Sequence, residues 1–362
     1  MSTLPKYGYL ALFVLTTVVY LLGMVAIDLM DVDAAQYASI SREMRETGSF
    51  LQVYHRHEDY LDKPPLLFWL SACSYGLFGV SAFAYRLPSF LFTLLGVFAT
   101  YRLGWLLYDR ETGKIAALVL YTCQAYFLIS HDVRTDTILA NAVVFGTWQL
   151  TDYLRNRRPL NGALAFGGFA LAMLQKGPIG LMVPGLAFAA DWAYGRRWKL
   201  FLRWEWLAGG VLMLGLLSPM LWGLYRQFGA DGIRFFFWTQ SFGRLTGENV
   251  WKDDSDALFF THTFLWAFLP WMVLAYYGVA TRLWNLVRGR FARPVDAEVL
   301  TLGGFLLPFI ALSTSQYKLP HYIFVVFPFA ALLAARVIGQ LLARVEAKPF
   351  RVFFSIQLFI AL

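Results

Sequence analysis

Charge is scarce in this chain. Of 362 residues only 15% are charged, 23 Asp and Glu against 31 Lys and Arg, while 58% are hydrophobic. A water-soluble domain carries roughly 25% charged residues and about 45–50% apolar ones, so a compact soluble domain is excluded. Cysteine is scarcer still. Cys73 and Cys123 both lie in apolar runs, which points away from a disulfide framework and from a thiolate metal site. Two further absences narrow the reading: no period of 20–50 residues marks a repeat array, and no low-complexity linker interrupts the chain. The first apolar run lacks a small-residue cleavage site and reads as an anchor. Aromatics, by contrast, are plentiful, with 33 Phe, 19 Tyr and 13 Trp. That load suits a protein held at two bilayer interfaces. The expected class is an all-α polytopic membrane protein.

A spanning helix needs about 20 mostly apolar residues. Runs that meet or approach this are 7–29, 87–108, 115–130, 137–154, 160–175, 178–194, 205–224, 257–281, 297–313 and 320–341, with another apolar run from about 352. The expectation is a single transmembrane domain over 1–362 with about 10–11 helices and outer loops at 30–86 and 225–256. Loops holding Arg110/Lys114, Arg155/Arg157/Arg158, Arg196/Arg197/Lys199/Arg203, Arg282/Arg288/Arg290/Arg293 and Arg344/Lys348/Arg351 are basic. Placed in the cytoplasm, they put 30–63, 131–136, 176–177, 225–256 and 314–319 outside. The same placement accounts for the net charge of +8 without nucleic acid as a partner. The arrangement holds only if 64–79 does not cross. That run is short, opens with Pro64-Pro65 and carries Trp69 and Tyr75, so it reads as a re-entrant or interfacial helix on the outer face.

Polar residues gather on that outer side. In Asp31–Gly48, Tyr37, Ile40, Ser41 and Met44 share one helical face while Arg42, Glu43, Arg45 and Glu46 face away, which predicts a short amphipathic helix on the bilayer surface. Asp33 stands at its N-cap position, where a carboxylate can simply satisfy free amides. Lys63, fixed before two prolines, can present a point charge to a lipid phosphate or merely snorkel. His55 and His57, with Asp59 or Asp62, offer metal-ligand chemistry, although histidines in a polar loop are more often solvated. Asp136 opens an apolar helix, where an unpaired carboxylate is costly and suggests function; pairing with Arg134 or helix capping is the bland alternative. Gln175-Lys176-Gly177-Pro178 turns two helices back to back. The 225–256 loop contains Arg244, and a last outer segment runs from Ser313 to Tyr322.

Several of these segments resemble, in order, the polyprenyl-phosphate-dependent glycosyltransferases of the GT-C fold. They are Asp33 to Met44, Asp62-Lys63-Pro64-Pro65-Leu66, Arg86-Leu87-Pro88-Ser89, Arg134-Thr135-Asp136, Lys176-Gly177-Pro178 and Lys318-Leu319-Pro320-His321-Tyr322. Within that fold the likeness is to the aminoarabinose transferases that modify lipid A and to the protein O-mannosyltransferases, over about residues 7–341. The resemblance implies a GT-C-type bundle with periplasmic amphipathic juxtamembrane helices in a bacterial inner membrane. It also implies a sugar donor linked to a polyprenyl phosphate, and a lipid, glycan or protein acceptor on the periplasmic face. Asp33 then matches the first-loop acid, a general base or oxocarbenium stabiliser, and Asp136 the second acid. Lys63 matches the lysine on the donor phosphate, with Arg244, Tyr322 and Lys318 on the same side. Tyr37, Arg134 and Lys176 are expected to position substrate. Family members often carry Glu beside the first acid; here that position is Ala34, which weakens a two-carboxylate or metal-binding mechanism. No cofactor is expected and a divalent metal is not favoured. The family's C-terminal soluble domain is expected to be missing.

The physics can be stated independently. Breaking a glycosyl–phosphate bond builds negative charge on the departing phosphate and positive charge at the anomeric carbon. Cations fixed where the negative charge appears stabilise the transition state more than the ground state. The rival reading is a transporter or flippase for a lipid-linked sugar, which would place ionisable or Gly/Pro-broken sites at mid-membrane in paired halves. The sequence shows no such halves.

Overall fold

In the computed structural model the structure describes residues 7–29, 32–239, 243, 256–289, 291, 299–343, 345 and 348–361. Arg244 lies outside the described residues. The order of elements is α1 (Gly8–Ala26), α2 (Val32–Thr47), a two-stranded hairpin of β1 (Tyr54–His55) and β2 (Glu58–Asp59), α3 (Leu66–Phe78), α4 (Ala82–Leu107), α5 (Arg110–Tyr121) and α6 (Gln124–His131). These are followed by α7 (Thr135–Asn156), α8 (Pro159–Lys176), α9 (Ile179–Tyr194) and α10 (Glu205–Arg234). The chain closes with α11 (Phe259–Ala267), α12 (Met272–Arg288), α13 (Leu300–Ser313), a 3-10 segment Pro320–Val326, α14 (Phe327–Leu342) and α15 (Lys348–Ala361).

Helices occupy every predicted apolar run, but not every run is one straight span. Among the described residues four are long and apolar enough to cross a bilayer alone: Gly8–Ala26, Ala82–Leu107, Glu205–Thr239 and Pro320–Leu342. The 115–130 run breaks instead into α5 and α6, bent by 53°. At the break Cys123 is extended, and the Gln124 amide donates to the Leu269 carbonyl at 2.9 Å rather than to its own helix. The segment 225–239, expected as loop, continues α10 as helix, with a break at Gly229 (φ 61°, ψ −145°) and a π turn over Phe235–Thr239.

The helix α7 shows why hydropathy alone undercounts. Its 22 residues reach about 33 Å, yet it buries Thr137, Asn141, Thr147, Gln149, Thr151 and Asp152. It packs on α4, α8 and α9, so its polar side chains face protein, not lipid. Close approach to α8 depends on small residues, as in other membrane bundles: a Cβ on Gly146 would lie 2.5 Å from the Phe169 ring. At the lipid-facing edge, α1 exposes Leu10, Val14, Leu15 and Leu22, and α10 exposes Leu207, Val211 and Leu214.

The helix of the run 64–79 is too short to cross a bilayer alone. This 13-residue helix, α3, is about 20 Å long, against a hydrocarbon core of roughly 30 Å. It is tied to its neighbours by side chains: Trp69 donates to the Phe50 carbonyl at 2.5 Å, and Ser74 to the Ala84 carbonyl at 2.6 Å, in the first turn of α4. The amphipathic face of α2 is therefore covered by protein. Tyr37, Ile40 and Met44 are buried against α3 and do not rest on the bilayer surface as the sequence pattern suggested. Nor does Glu43 face away. Its carboxylate accepts from the Arg56 and His57 amides, each at 2.8 Å, at a hairpin turn whose two residues have φ of 57° and 65°. Turns of this kind favour Asn or Gly; here a carboxylate from the neighbouring helix holds them.

Candidate active site

The site is built on an arginine that pattern reading treated only as a marker. Arg86 is fully buried. Its guanidinium donates to the carbonyls of Met24 (2.9 Å), Ile27 (2.5 Å) and Asp28 (3.0 Å) at the end of α1, and of His131 (2.7 Å) at the end of α6. One cation thus binds the negative ends of two helix dipoles and the carbonyls left open there. Tyr85 adds a hydrogen bond to the Val133 carbonyl at 3.0 Å. Together they fix the strand of chain leading into Arg134 and the exit of α1 leading into α2.

Asp33 falls in the first turn of α2, one residue inside the helix rather than at its cap. Arg134 donates to it at 3.0 Å and to Asp132 at 3.2 Å. The partner of Arg134 is thus Asp33, and not Asp136 as local pairing would have it. Asp136 turns inward to Lys176, whose ammonium donates at 2.6 Å. Their side chains are 3% and 8% exposed. The Lys176 ammonium also sits 3.8 Å from the centre of the Tyr322 ring. Lys63 pairs with Asp62 at 2.8 Å, with the lysine mostly covered and the aspartate half open.

His321 joins the two acids, a role pattern reading did not assign. Arg134 donates to its Nδ1 at 3.2 Å, while its Nε2 lies 3.6 Å from the other Asp136 oxygen. An Nδ1 that accepts leaves the ring proton on Nε2, facing the carboxylate. The motif Lys318–Tyr322 was legible, but a histidine after proline carries no spacing signal of its own. Lys63 lies within electrostatic reach of both Asp136 and His321. Tyr37 lies within reach of Tyr60, Asp33, Asp62 and Asp136. Burial, reinforced by those neighbours, raises the phenols of Tyr37 and Tyr60, so both are neutral donors at any physiological pH.

The structure therefore brings together Asp33, Tyr37, Lys63, Arg134, Asp136, Lys176 and Tyr322. Lys318 is buried and donates to the Asp256 carbonyl at 3.1 Å, where it ties the 3-10 segment to the chain entering α11. His55 bonds Gln36 at 3.3 Å and His57 lies 3.4 Å from Glu43. Among the described residues no three His, Cys, Asp or Glu side chains converge as a metal site would require. Beside Lys63 opens a pocket walled by Val53, Pro65, Met220, Leu224 and Phe236, with Gln227 at its rim.

The opposite face is separate. Tyr153 donates to Glu205 at 3.3 Å, Arg197 pairs with Asp191 at 3.6 Å, and Arg336 lies 4.5 Å over the Tyr108 ring. The acid–base cluster and the arginine-rich loops thus occupy different ends of the bundle.

Residues 62–222 match the family described as dolichyl-phosphate-mannose-protein mannosyltransferase. The chain is 28% identical over 363 residues to the undecaprenyl phosphate-α-4-amino-4-deoxy-L-arabinose arabinosyl transferase of Edwardsiella ictaluri, covering 98% of this chain and 63% of that one. A transferase of the same description from Pseudomonas fluorescens is 28% identical, covering 89% and 56%. The chain thus spans about three fifths of the length of these relatives. Among solved structures, ArnT from Cupriavidus metallidurans bound to undecaprenyl phosphate superposes with a TM-score of 0.80 at 24% identity, covering 92% of this chain and 61% of that one. The Archaeoglobus fulgidus oligosaccharyltransferase superposes at 0.65 and 14% identity, covering 100% and 55%. The chain has the GT-C fold of membrane glycosyltransferases and, within it, is similar to the aminoarabinose transferases.

Proposed function

We propose that this chain carries the membrane-embedded active site of a glycosyltransferase. It would move a sugar from a polyprenyl-phosphate donor to a lipid, glycan or protein acceptor at the periplasmic face of a bacterial inner membrane. The observation that carries the reading is the convergence of Asp33, Lys63, Arg134, Asp136, Lys176 and His321 at one end of the bundle. The two acids divide the work. Asp33 is 40% exposed and can meet an acceptor; Asp136 is 3% exposed and closed by Lys176. In the proposed reaction an acceptor oxygen attacks the anomeric carbon and the bond to the phosphate oxygen breaks, so that the phosphate leaves with the electron pair. A hydroxyl acceptor passes its proton to Asp33; an acceptor already anionic, such as a lipid A phosphate, needs only orientation. Lys63 meets the charge that grows on the departing phosphate. With Asp136 closed by Lys176 and Asp62 paired with Lys63, Asp33 is the base, and direct displacement with inversion is favoured over a covalent glycosyl intermediate.

The test is transfer of radiolabelled sugar from polyprenyl-phosphate donors in vesicles. Undecaprenyl-phosphate aminoarabinose, the donor named for the relatives, is the first to try. Asp33→Asn and Lys63→Ala variants that fold and insert should lose transfer; full turnover in both would overturn the assignment. Mass spectrometry of envelope glycolipids from a deletion strain would identify the acceptor.

A further inference from the structure

A second cleft lies at the far end of the bundle from the acid–base cluster, between α8 and α10. It encloses about 220 Å³. Small residues make the space: Gly162 and Ala163 on α8, Ala208 and Gly209 on α10, with Phe166 closing the floor. Gly209 cannot carry a side chain there, because a Cβ would stand 2.2 Å from the Phe166 ring. Trp204, 75% exposed, forms one lip. The interior is apolar, and its polar groups are confined to the mouth.

Arginines flank the cleft. Glu205, its one carboxylate, is occupied by Arg203, which donates through both Nε (3.1 Å) and a terminal nitrogen, and by the Tyr153 hydroxyl. Arg157 stands 3.9 Å from Glu205 and is 45% exposed. It is held in a left-handed conformation (φ 56°, ψ 27°) at the end of α7, with its guanidinium 5.5 Å from the Tyr153 ring centre. Since Arg203 already neutralises Glu205, Arg157 brings surplus positive charge, and exposed Arg158 follows it directly. Next to the cleft, the 3-10 segment Trp198–Leu202 exposes Trp198 and Leu202 and is flanked by Arg196 and Arg197. An apolar slot under arginines and tryptophans matches a lipid with an anionic head group.

We propose that this cleft is a binding site for an anionic diacyl phospholipid of the adjacent leaflet, with one acyl chain between α8 and α10 and the phosphate at Arg157. The inference does not depend on the proposed transferase activity. Trp204 supplies a reporter, and the full chain reconstituted in vesicles supplies the sample. Phosphatidylglycerol brominated on its acyl chains should quench fluorescence more than equally brominated phosphatidylcholine, and Trp204→Phe should remove that excess. Ala208→Phe, which fills the slot, should also abolish it. Arg157→Gln should weaken the preference for phosphatidylglycerol about fivefold, the effect of one arginine at an anionic surface. Equal quenching by the two lipids, or an undiminished excess in Ala208→Phe, would reduce the cleft to ordinary lipid-facing surface.

Discussion

Replacing Lys176 with methionine would test the buried pair at the centre of the cluster. The Asp136–Lys176 contact is 2.6 Å long, between side chains 3% and 8% exposed. At an effective dielectric constant of about 20, two unit charges at that distance attract by about 6 kcal/mol, most of which offsets the cost of taking them out of water. Removing one partner leaves the other carrying that cost alone, which amounts to about 3–5 kcal/mol. His321, 3.6 Å from the second Asp136 oxygen, offers a residual partner, so Lys176→Met should cost about 3 kcal/mol, the lower end of that range. Asp136→Asn should cost less, because the ammonium left behind keeps the Tyr322 ring at 3.8 Å, a contact worth about 0.5–2 kcal/mol. The double variant should recover much of the loss. The measurement is denaturant unfolding of wild type, both single variants and the double variant in one detergent, read as a double-mutant cycle. A coupling of about 2 kcal/mol or more is expected for residues in direct contact. If Lys176→Met unfolds within about 1 kcal/mol of wild type, the pair behaves as a solvent-exposed one and the closed character of Asp136 is wrong.

Other perturbations reach the rest of the site. Asp33→Asn should lower transfer to a hydroxyl acceptor by about 10²–10⁴-fold, the range for a lost general base, while retained donor binding in a flotation assay would confirm that the site is still assembled. Asp62→Asn should tighten donor binding up to about fivefold, because it removes a carboxylate that competes with the phosphate for Lys63 in a half-exposed pair; weaker binding would mean that Asp62 helps to hold the ligand. Arg86→Met leaves carbonyls at two helix ends without their donor, and with bonds to a charged group worth about 1.5–3 kcal/mol each the variant should fail to accumulate in membranes. Gly146→Val should drive a side chain into Phe169 and cost about 1–3 kcal/mol, measurable by thermal unfolding with no change in donor affinity at temperatures where it stays folded.

The parts of this architecture that sequence made legible are those with a period or a charge sign. The apolar runs located helices, and the 3.6-residue pattern of Tyr37, Ile40 and Met44 located the buried face of α2. What covers that face was not legible, because an apolar stripe reads alike whether lipid or α3 lies against it. Glu43 was misplaced for a related reason: its partners are backbone amides of Arg56 and His57, and amides leave no mark in composition. Pairing in the site followed the same rule. Arg134 is two residues from Asp136 yet bonds Asp33, 101 residues away, while Asp136 is taken up by Lys176, 40 residues on. Hydropathy located α7 through the run 137–154 but not the role of its polar residues, which answer to neighbouring helices. His321 bridges two acids supplied by α2 and α7, through Arg134 in one case, and no local window contains all three.

The orientation argument and the site argument turn out to be one argument. Charge asymmetry puts the basic loops on one side only if 64–79 stays on the other; a crossing there would invert every later loop. The short α3 bonds the first turn of α4 through Ser74 and the Ala84 carbonyl, and α4 starts at the level where Arg86 binds the ends of α1 and α6. From that level Arg134 reaches Asp33. Had α3 crossed, α4 would begin at the opposite end of the bundle and Arg86 could not reach Met24 or His131. The same short segment therefore separates the two charge populations and assembles the cluster. Lengthening α3 by about seven residues, enough to span, should disturb topology and site together; a mapping experiment that inverted the loops yet left donor binding intact would break the link.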